Sequence, residues 1–272
     1  MTISQLERAQ MFQALHRRPG AFVIANVWDA GSARIVAGLG FEALATSSGA
    51  AANTLGRLDG GITREEALTH IRSIVAGSDL PLSGDLEKGF GDAPEAVAQT
   101  LHQAAQAGLV GGSIEDASGD SSKPIYDIGL ATDRVAAAVA AARAQPFPFT
   151  LTARCENFLR GNPDLDDTIR RLQAYEKAGA DVLFAPLLPD LAAVRRVCSS
   201  LSRPVNFMVG VPGKSFSVAE LEAAGVKRIS LATSLYRAAM SGLIAAAQEI
   251  RQQGTFGYVE RLQDVSKFMK RS

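Results

Sequence analysis

The chain has 272 residues, 47% of them hydrophobic, and its 28 Lys and Arg residues balance its 28 Asp and Glu residues. The zero net charge argues against electrostatic binding to nucleic acid or an anionic membrane surface. No run approaches the ~20 apolar residues of a membrane span, and the N-terminus has no signal-peptide core. Cys155 and Cys198 are typical of reduced thiols. We therefore expect a cytoplasmic protein with a small-molecule ligand and no nucleic-acid or membrane partner.

Strand-like and helix-like segments alternate along the whole chain. The predicted strands are residues 21–27, 43–48, a segment that begins at Leu82, then 112–116, 149–156, 180–186, 204–209 and 227–233. The predicted helices are 1–18, 30–39, one capped by Thr63 and Glu66, then 94–108, 132–144, 166–178, 191–201, 218–224, 235–252 and an amphipathic tail helix at 258–270.

These strands are almost continuously apolar, as expected when both faces of a sheet are covered. Eight strand–helix units without a linker predict an α/β fold, a (β/α)₈ TIM-type barrel in one domain, residues 1–254, with a helical tail at 255–272. A doubly wound open sheet is the alternative. It would place a phosphate-binding glycine loop after the first strand, and Trp28-Asp29-Ala30-Gly31-Ser32 is not such a loop.

Two carboxylates end the third predicted strand. In Leu82-Ser83-Gly84-Asp85-Leu86-Glu87-Lys88-Gly89-Phe90-Gly91, Asp85 and Glu87 are alternate residues, so they face the same side of the strand. Carboxylates forced together resist joint ionisation unless a cation lies between them. Oxygen ligands suit Mg²⁺ or Mn²⁺ better than zinc. This pattern predicts a metal site, and a solvated strand end capped by acids is the alternative.

Polar residues collect at the C-terminal ends of the predicted strands, where barrels of this kind place their active sites. They are Asp29, Ser47, Ser48, Asp85, Glu87, Glu115, Asp116, Arg154, Glu156, Asn206, Ser230 and Thr233. The strand starts are mostly apolar. This asymmetry predicts an acidic metal pocket that contains one arginine.

Arg154 has two readings at this point: a structural ion pair with Glu156, or a clamp for a substrate carboxylate or a developing oxyanion. The small residues of the loop after the second strand let backbone amides approach a ligand closely. The predicted substrate-binding residues are Trp28, Ser47, Ser48, Gly49, Ala50, Arg154, Asn206 and Ser230.

The histidines and cysteines are expected to lie outside the site. His16, His70 and His102 fall in predicted helices, so we interpret them as surface or packing residues. Cys155 points away from its neighbours Arg154 and Glu156 by strand alternation, so it is expected in the barrel wall. No zinc site or serine triad is indicated.

With these residues assembled, the chain resembles the isocitrate lyase and phosphoenolpyruvate mutase superfamily over nearly its whole length. The matching segments are Asn26-Val27-Trp28-Asp29-Ala30, Thr46-Ser47-Ser48-Gly49, Leu55-Gly56-Arg57-Leu58-Asp59-Gly60, Asp85-Leu86-Glu87-Lys88-Gly89-Phe90-Gly91, Ile114-Glu115-Asp116 and Ala153-Arg154-Cys155-Glu156. The two acids before Gly-Phe-Gly, followed by Glu-Asp at the next strand end, are the most specific of these motifs.

The resemblance implies Mg²⁺ held largely through water by Asp85, Glu87 and Glu115, with Asp59 nearby. It also implies a 2-oxo or 2-hydroxy acid substrate that reacts through an enolate. The loop at residues 117–128 would form a lid over the site. Related proteins tend to form tetramers, so a homotetramer or dimer that exchanges its C-terminal helices, including the tail, is expected.

The chain departs from the family patterns at the lid. The Lys-Lys-Cys-Gly-His lid of the isocitrate and methylisocitrate lyases is missing, and so is the Glu-Asp-Lys lid of the mutase and the phosphonopyruvate hydrolase. Lys123 is the lid's lysine. Glu87 stands where aspartate is more usual in the family.

These features predict a Mg²⁺-dependent carbon–carbon lyase or decarboxylase, with an oxaloacetate-like substrate favoured because decarboxylation needs only an electron sink. A retro-aldol or retro-Claisen cleavage needs a base as well, and the candidates are Glu156, Lys123 and Tyr126. We take Arg154, Glu156 and Lys123 as the catalytic residues. The alternatives are a 2-methylisocitrate-type lyase, a phosphonopyruvate-type hydrolase or mutase, and a 2-oxo-acid binding protein with depleted catalytic groups.

Overall fold

A computed structural model describes residues 3–269 of the chain. Its strands are parallel and close into a barrel in the order β1 to β8, with β8 paired back to β1. The strands are β1 Phe22–Asn26, β2 Leu44–Ala45, β3 Leu82–Asp85, β4 Gly111–Glu115, β5 Thr150–Arg154, β6 Val182–Phe184, β7 Val205–Met208 and β8 Arg228–Ser230. The barrel prediction is confirmed, and the open-sheet alternative is wrong.

Helices alternate with the strands and surround the barrel. They are α1 Gln5–Arg17, α2 Ala30–Gly38, α3 Ser48–Thr54, α4 Arg64–Val75, α5 Pro94–Gln106, α6 Ile128–Arg143, α7 Leu165–Lys177, α8 Leu191–Ser199, α9 Val218–Ala223, α10 Ser234–Gln253 and α11 Ser266–Met269, with a 3₁₀ turn at Gly257–Arg261 before α11. Helix α3 lies where a loop was expected, and α6 begins four residues earlier than predicted.

Local signals in the sequence explain where these helices start. Thr63 and Glu66 form the expected capping box of α4, with each side chain bonded to the other's backbone amide. Asp29 and Ser32 form an equivalent pair at the start of α2, so Asp29 caps a helix. Burial of apolar side chains between the strands and the helix ring then stabilises the barrel.

The tail differs from the single amphipathic helix predicted for residues 258–270. It forms the short 3₁₀ turn, then an extended stretch, then α11. Phe268 lies against Gly38 of α2, and Arg34 of α2 donates a hydrogen bond to the carbonyl oxygen of Met269 at 2.9 Å. The described end of the tail therefore packs on its own chain. Residues 1, 2 and 270–272, which the domain prediction includes, lie outside the described residues.

Helix α10 is only loosely attached to the barrel. None of its residues is buried in the single chain, and Leu243 and Ile244 are 60% and 56% exposed. Within residues 3–269, no helix combines the length and the hydropathy that a membrane crossing would need. The apolar face of α10 is thus a surface feature that the isolated barrel does not explain.

Candidate active site

Arg154 lies at the centre of the acidic side chains that gather at the C-terminal ends of the strands. Its Nη1 is 3.5 Å from Asp85 Oδ1 and its Nε is 2.8 Å from Glu156 Oε1. Its Nη2 contacts Glu115 Oε2. The register of the sheet explains the last contact, because Glu115 and Arg154 are paired on adjacent strands β4 and β5. The ion-pair reading of Arg154 is therefore correct, and it extends to three carboxylates.

A second arginine completes this arrangement and was not found from the sequence. Arg160 lies on the loop after β5, with Nε 3.2 Å from Glu156 Oε2 and Nη2 3.3 Å from Glu115 Oε1. Glu115, Arg154, Glu156 and Arg160 thus form a closed ring of alternating charges, which we call the arginine–glutamate ring. Glu156 and Arg160 are four residues apart, and this spacing is the signal in the sequence that could have identified the pair. The pair was not predicted because the segment was expected to form a loop.

Three other acids form a separate cluster, the acid group: Asp59, Asp85 and Glu87. Asp85 Oδ2 accepts hydrogen bonds from the backbone amide and the hydroxyl of Ser48, at 3.1 and 2.9 Å. Asp59 lies beside Gly49, where an added Cβ would come within 3.4 Å of the Asp59 carboxyl carbon. Glu87 Oε1 is buried and has no hydrogen-bond partner in the described residues. Burial, with the charges of Asp85 and Asp59, raises the pKa of Glu87 to about 7.

The backbone around these acids is strained. Glu87 and Phe90 have φ of 49° and 55°, a region that side chains with a Cβ rarely adopt. Leu187 and Ala232, which follow β6 and β8, are also left-handed. These four residues lie just beyond the C-terminal ends of strands, at the same end of the barrel as the acid group. Such strain is maintained where the surrounding structure holds a functional arrangement.

The acid group fits a hard divalent cation by its chemistry. Its donors are all carboxylate oxygens, which Mg²⁺ and Mn²⁺ prefer, and the unpartnered oxygen of Glu87 lacks the positive charge that would balance it. In residues 3–269 no three acidic, histidine or cysteine side chains converge in a ready coordination geometry. Glu115, which the resemblance adds to the metal ligands, is instead engaged by both arginines.

The residues that follow β2 and begin α3 contact the acid group. The amide of Ser48 donates to Asp85, and the amide of Ala50 donates to the hydroxyl of Ser47 at 3.3 Å, capping α3. A Cβ at Gly49 would come within 3.1 Å of Thr233 Cγ2, so the close approach of Thr233 favours glycine there. Binding of substrate by Ser47, Ser48, Gly49 and Ala50 stays a prediction. In the structure these residues position the acid group.

Trp28 follows β1 and borders the same end of the barrel. Its ring packs edge-on against Tyr236 of α10, with 5.4 Å between ring centroids. Its carbonyl oxygen accepts a hydrogen bond from His70 Nε2 of α4 at 2.8 Å, which fixes the histidine tautomer. His70 therefore packs against the site from outside, as a helix residue was expected to do.

Asn206 lies in the barrel interior. It is the second residue of β7 and is 2% exposed. Its Oδ1 accepts from Arg228 Nε at 2.8 Å, and its Nδ2 donates to Ser230 Oγ at 2.9 Å. Arg228 Nη2 also donates to Thr152 Oγ1 at 2.8 Å. The structure thus uses Asn206 to hold a buried arginine, and it connects Ser230 to that arginine.

His16 is the remaining neighbour of Arg228. Its Nδ1 is bonded to the Phe12 carbonyl oxygen at 2.8 Å, so Nε2 is left as the acceptor that faces Arg228 Nη1 at 3.5 Å. Arg228 has no carboxylate partner in the described residues, and burial lowers its pKa to about 9. We call His16, Thr152, Asn206 and Arg228 the interior arginine site.

The predicted lid does not bring its catalytic candidates to the acids. Residues 117–125 form a small hairpin, bridged between Ala117 and Ile125. Lys123 pairs with Asp127 at 2.6 Å on the surface. Tyr126 donates to Asp92 at 2.5 Å, and burial together with this bond raises the pKa of Tyr126. The catalytic role of Lys123 stays a prediction that this arrangement does not support.

Glu156 and Cys155 are both enclosed. Glu156 is 0% exposed and lies between Arg154 and Arg160, so its carboxylate orients the two guanidinium groups. Its role as a base stays a prediction. Cys155 is buried in the barrel wall as expected, and burial raises the pKa of its thiol far above the ordinary value. A thiol of this kind is a poor nucleophile.

Comparison with known proteins identifies the family. A family model described as phosphoenolpyruvate phosphomutase matches residues 12–251. A solved structure from Burkholderia cenocepacia J2315, described provisionally as a lyase/mutase, is 52% identical, with a TM-score of 0.95 over 97% of this chain and 96% of that one. The 2-methylisocitrate lyase of Escherichia coli is 32% identical over 90% of this chain and 84% of the relative.

An oxaloacetate decarboxylase of Paraburkholderia xenovorans is 30% identical over 90% of this chain and 82% of the relative. Both of these named relatives are carbon–carbon lyases. The family match covers the whole barrel apart from its first residues and the tail. The chain therefore belongs to the phosphoenolpyruvate mutase family, within the superfamily that its sequence motifs predicted.

Proposed function

We propose that the chain is a divalent-cation-dependent carbon–carbon lyase that acts on a small 2-oxo or 2-hydroxy diacid, with an oxaloacetate-like acid favoured. The observation that carries the proposal is the acid group beside the arginine–glutamate ring at the C-terminal end of the barrel. Asp59, Asp85 and Glu87 present carboxylate oxygens, one of them buried and unpartnered. Two fixed guanidinium groups lie next to them.

In decarboxylation of such an acid, the bond between C3 and the distal carboxylate breaks and its electron pair moves toward the C2 carbonyl oxygen. Carbon dioxide leaves, and C3 takes a proton from water. A Mg²⁺ or Mn²⁺ ion held by Asp85, Glu87 and Asp59 would supply positive charge near the oxygen where negative charge develops. Arg154 adds a guanidinium that three carboxylates hold in place before the substrate arrives.

The placement of the candidate bases favours decarboxylation over a retro-aldol cleavage. Glu156 is enclosed between two arginines, Lys123 pairs with Asp127, and Tyr126 is bonded to Asp92. A retro-aldol cleavage needs one of them to accept a proton from the substrate. Decarboxylation needs none of them. The similarity to a 2-methylisocitrate lyase keeps a retro-aldol lyase as the second candidate.

The direct test is pyruvate release from oxaloacetate with Mg²⁺, with the chelator EDTA, and with Mg²⁺ alone as the background. We expect release that exceeds the metal background and disappears with EDTA. Binding of pyruvate or oxalate without any release would indicate a retro-aldol lyase or a 2-oxo-acid binding protein. Absence of both release and binding would contradict the proposal.

We also propose that the apolar face of α10 packs on a second copy of the chain. A helix of 20 residues with none buried exposes apolar surface that a stable monomer would normally cover. Leu243, Ile244 and Ile250 lie on this helix, and Phe256 and Leu262 extend the exposed apolar surface beyond it. The proposed exchange involves α10 rather than α11, because α11 packs on its own chain. Light scattering of the purified protein would show a dimer or tetramer, and a monomer would contradict the proposal.

A further inference from the structure

Arg160 differs from Arg154 in its exposure and in the hydrogen-bond donors that remain free. The Arg154 side chain is 15% exposed and contacts three carboxylates, whereas that of Arg160 is 41% exposed and contacts two. Both contacts of Arg160 use Nε and Nη2, so Nη1 has no hydrogen-bond partner in the described residues. Arg160 therefore presents an available donor edge, while Arg154 is largely occupied by the protein's own acids.

The loop that carries Arg160 is rigidly built. The amide of Arg160 donates to the Glu156 carbonyl oxygen at 2.9 Å, and the amide of Asn162 donates to that of Asn157 at the same distance. Asn157 is fully buried and its Nδ2 donates to Asp167 and Thr168 of α7, at 2.9 and 3.1 Å. The loop thus fixes the direction of Arg160 before any ligand binds. Such preorganisation lowers the entropic cost of binding.

Arg160 is also connected to the acid group. It shares Glu115 with Arg154, and Arg154 Nη1 is 3.5 Å from Asp85 Oδ1. The guanidinium of Arg160 is therefore linked through Glu115 and Arg154 to the oxygens that fit a metal. A ligand whose 2-oxo acid end lies at the acid group has Arg160 beside it.

Four other cations near this end of the barrel are already engaged. Lys88 pairs with Asp92 at 2.7 Å and also bonds the Ser118 carbonyl oxygen. Arg57 pairs with Glu66 at 2.8 Å, and Lys123 pairs with Asp127. Arg171 bonds Asp167 at 2.8 Å and the Tyr126 carbonyl oxygen at 2.9 Å.

We infer that Arg160 is a specificity-determining residue that binds the second carboxylate of the substrate, so that this enzyme selects diacids over 2-oxo or 2-hydroxy acids with one carboxylate. The inference rests on the proposed function, because it places the first carboxylate at the acid group. The free Nη1 of Arg160 suits a carboxylate, to which it donates a charge-assisted hydrogen bond. Glu115 and Glu156 hold the guanidinium in place and remain paired with Arg154 when the carboxylate arrives.

The test uses two pairs of unreactive ligands that differ only at the distal end. Malate and 2-hydroxybutyrate form one pair, and 2-oxoglutarate and 2-oxopentanoate form the other; in each, a methyl group replaces the second carboxylate. Calorimetric Kd values are measured with Mg²⁺ for the wild type, Arg160→Gln and Arg160→Lys. Arg170→Gln is the matched control, since Arg170 lies on α7, is 63% exposed and pairs only with Asp167 in the described residues.

We expect the wild type and Arg170→Gln to prefer the diacid of at least one pair by about tenfold or more, the usual size of one charge-assisted hydrogen bond. Arg160→Gln should abolish this preference and leave the Kd of the methyl-ended ligand unchanged. Arg160→Lys should keep part of it, because the charge remains and the fork is lost.

Three results would overturn the inference. A wild type without diacid preference, or an Arg160→Gln variant that retains the preference, would show that Arg160 does not bind the second carboxylate. Equal weakening of both ligands of a pair in Arg160→Gln would show a merely structural role in the arginine–glutamate ring. In each of these cases the wild type still binds 2-oxo or 2-hydroxy acids, so the proposed function survives. A wild type that binds neither member of either pair would overturn both.

Discussion

The interior and the C-terminal end of the barrel both contain buried charge, but they stabilise it in opposite ways. In the interior, Arg228 has no carboxylate partner in the described residues and is held by neutral acceptors: Asn206, Thr152 and His16. At the C-terminal end, the acid group leaves a buried oxygen of Glu87 without a partner. The first arrangement is complete without a ligand, whereas the second lacks a positive charge.

This difference separates structural from functional polar residues in the same fold. Buried polar groups that only stabilise a protein are normally satisfied by hydrogen bonds. A buried carboxylate oxygen without a partner is unfavourable in the isolated chain unless a cation or a proton reaches it. We therefore expect a change in the acid group to weaken ligand binding and a change in the interior arginine site to lower stability.

The largest effect is expected for Asp85→Asn. Asp85 is shared by the acid group and Arg154, and its replacement removes one of the negative charges that would hold a divalent cation. We expect metal-dependent pyruvate release to fall by about a thousandfold or more, the scale on which removal of a central electrostatic group acts. Stopped-flow or coupled assays of pyruvate, with thermal unfolding measured in parallel, provide the test.

The matched control is Asp133→Asn, which changes an exposed carboxylate on α6 that belongs to neither the acid group nor the arginine–glutamate ring. It should behave as the wild type in both measurements. If Asp85→Asn retained near-normal, EDTA-sensitive pyruvate release, the acid group could not be the metal site. The functional part of the comparison between the acid group and the interior arginine site would then be wrong.

A smaller effect, and of a different kind, is expected for Asn206→Ala. The change removes the acceptor for Arg228 Nε and leaves a buried charged donor unsatisfied. We expect the free energy of unfolding to fall by about 2 kcal/mol, the usual contribution of a hydrogen bond to a charged group. Pyruvate or oxalate binding to the folded protein should be little changed. Urea unfolding and calorimetry measure the two quantities separately.

The same variant tests the sequence-based assignment of Asn206 to the substrate site. Strong loss of ligand binding without loss of stability would restore that assignment and would mean that the ligand reaches into the barrel. The structure favours the opposite result, because Asn206 is 2% exposed and both ends of its amide are bonded inside the barrel.

The barrel and the centre of its site could be predicted because both depend on short-range regularities. Parallel pairing brings Glu115 beside Arg154 at the ends of β4 and β5. Strand alternation does not extend to Glu87, because β3 ends at Asp85 and Glu87 has a left-handed backbone. The assignment of Asn206 to the substrate site stays a prediction: Asn206 is the second residue of β7, and its bonds to Arg228 and Ser230 depend on the pairing of β7 with β8. Such pairings in a staggered barrel are set by the register between strands, which the sequence does not display.

Arg160 and the tail could not be predicted for related reasons. The direction of Arg160 depends on the turn after β5 and on the buried Asn157 that ties this turn to α7, a contact between distant positions. The tail carries enough apolar residues for an amphipathic helix, but its end packs on α2 through Phe268 instead. Tertiary contacts override local helix propensity in a short segment of this kind.

The smallest expected effect is on the pH dependence of stability, and it comes from the lowered pKa of His16. Burial, with the nearby charges of Arg228 and Lys227, lowers the pKa of His16 to about 3, against the opposing effect of its bond to the Phe12 carbonyl. In the unfolded chain the pKa is near the ordinary value of about 6.5. Below that pH the unfolded chain binds a proton that the folded protein does not, so stability decreases as pH falls from about 6.5 toward 3.

The decrease from this one group approaches about 1.4 kcal/mol per pH unit below pH 6. Carboxylates also contribute in this range, so the informative quantity is the difference between wild type and His16→Gln, whose side-chain oxygen can still accept from Arg228. The variant should lose stability less steeply between pH 6.5 and 5.5 by urea unfolding. His102→Gln, which changes a histidine on α5 bonded to Gln106 at the surface, should keep the wild-type slope. Equal slopes in all three proteins would mean that His16 accepts a proton in the folded state, and that the interior arginine site is not held by a neutral imidazole.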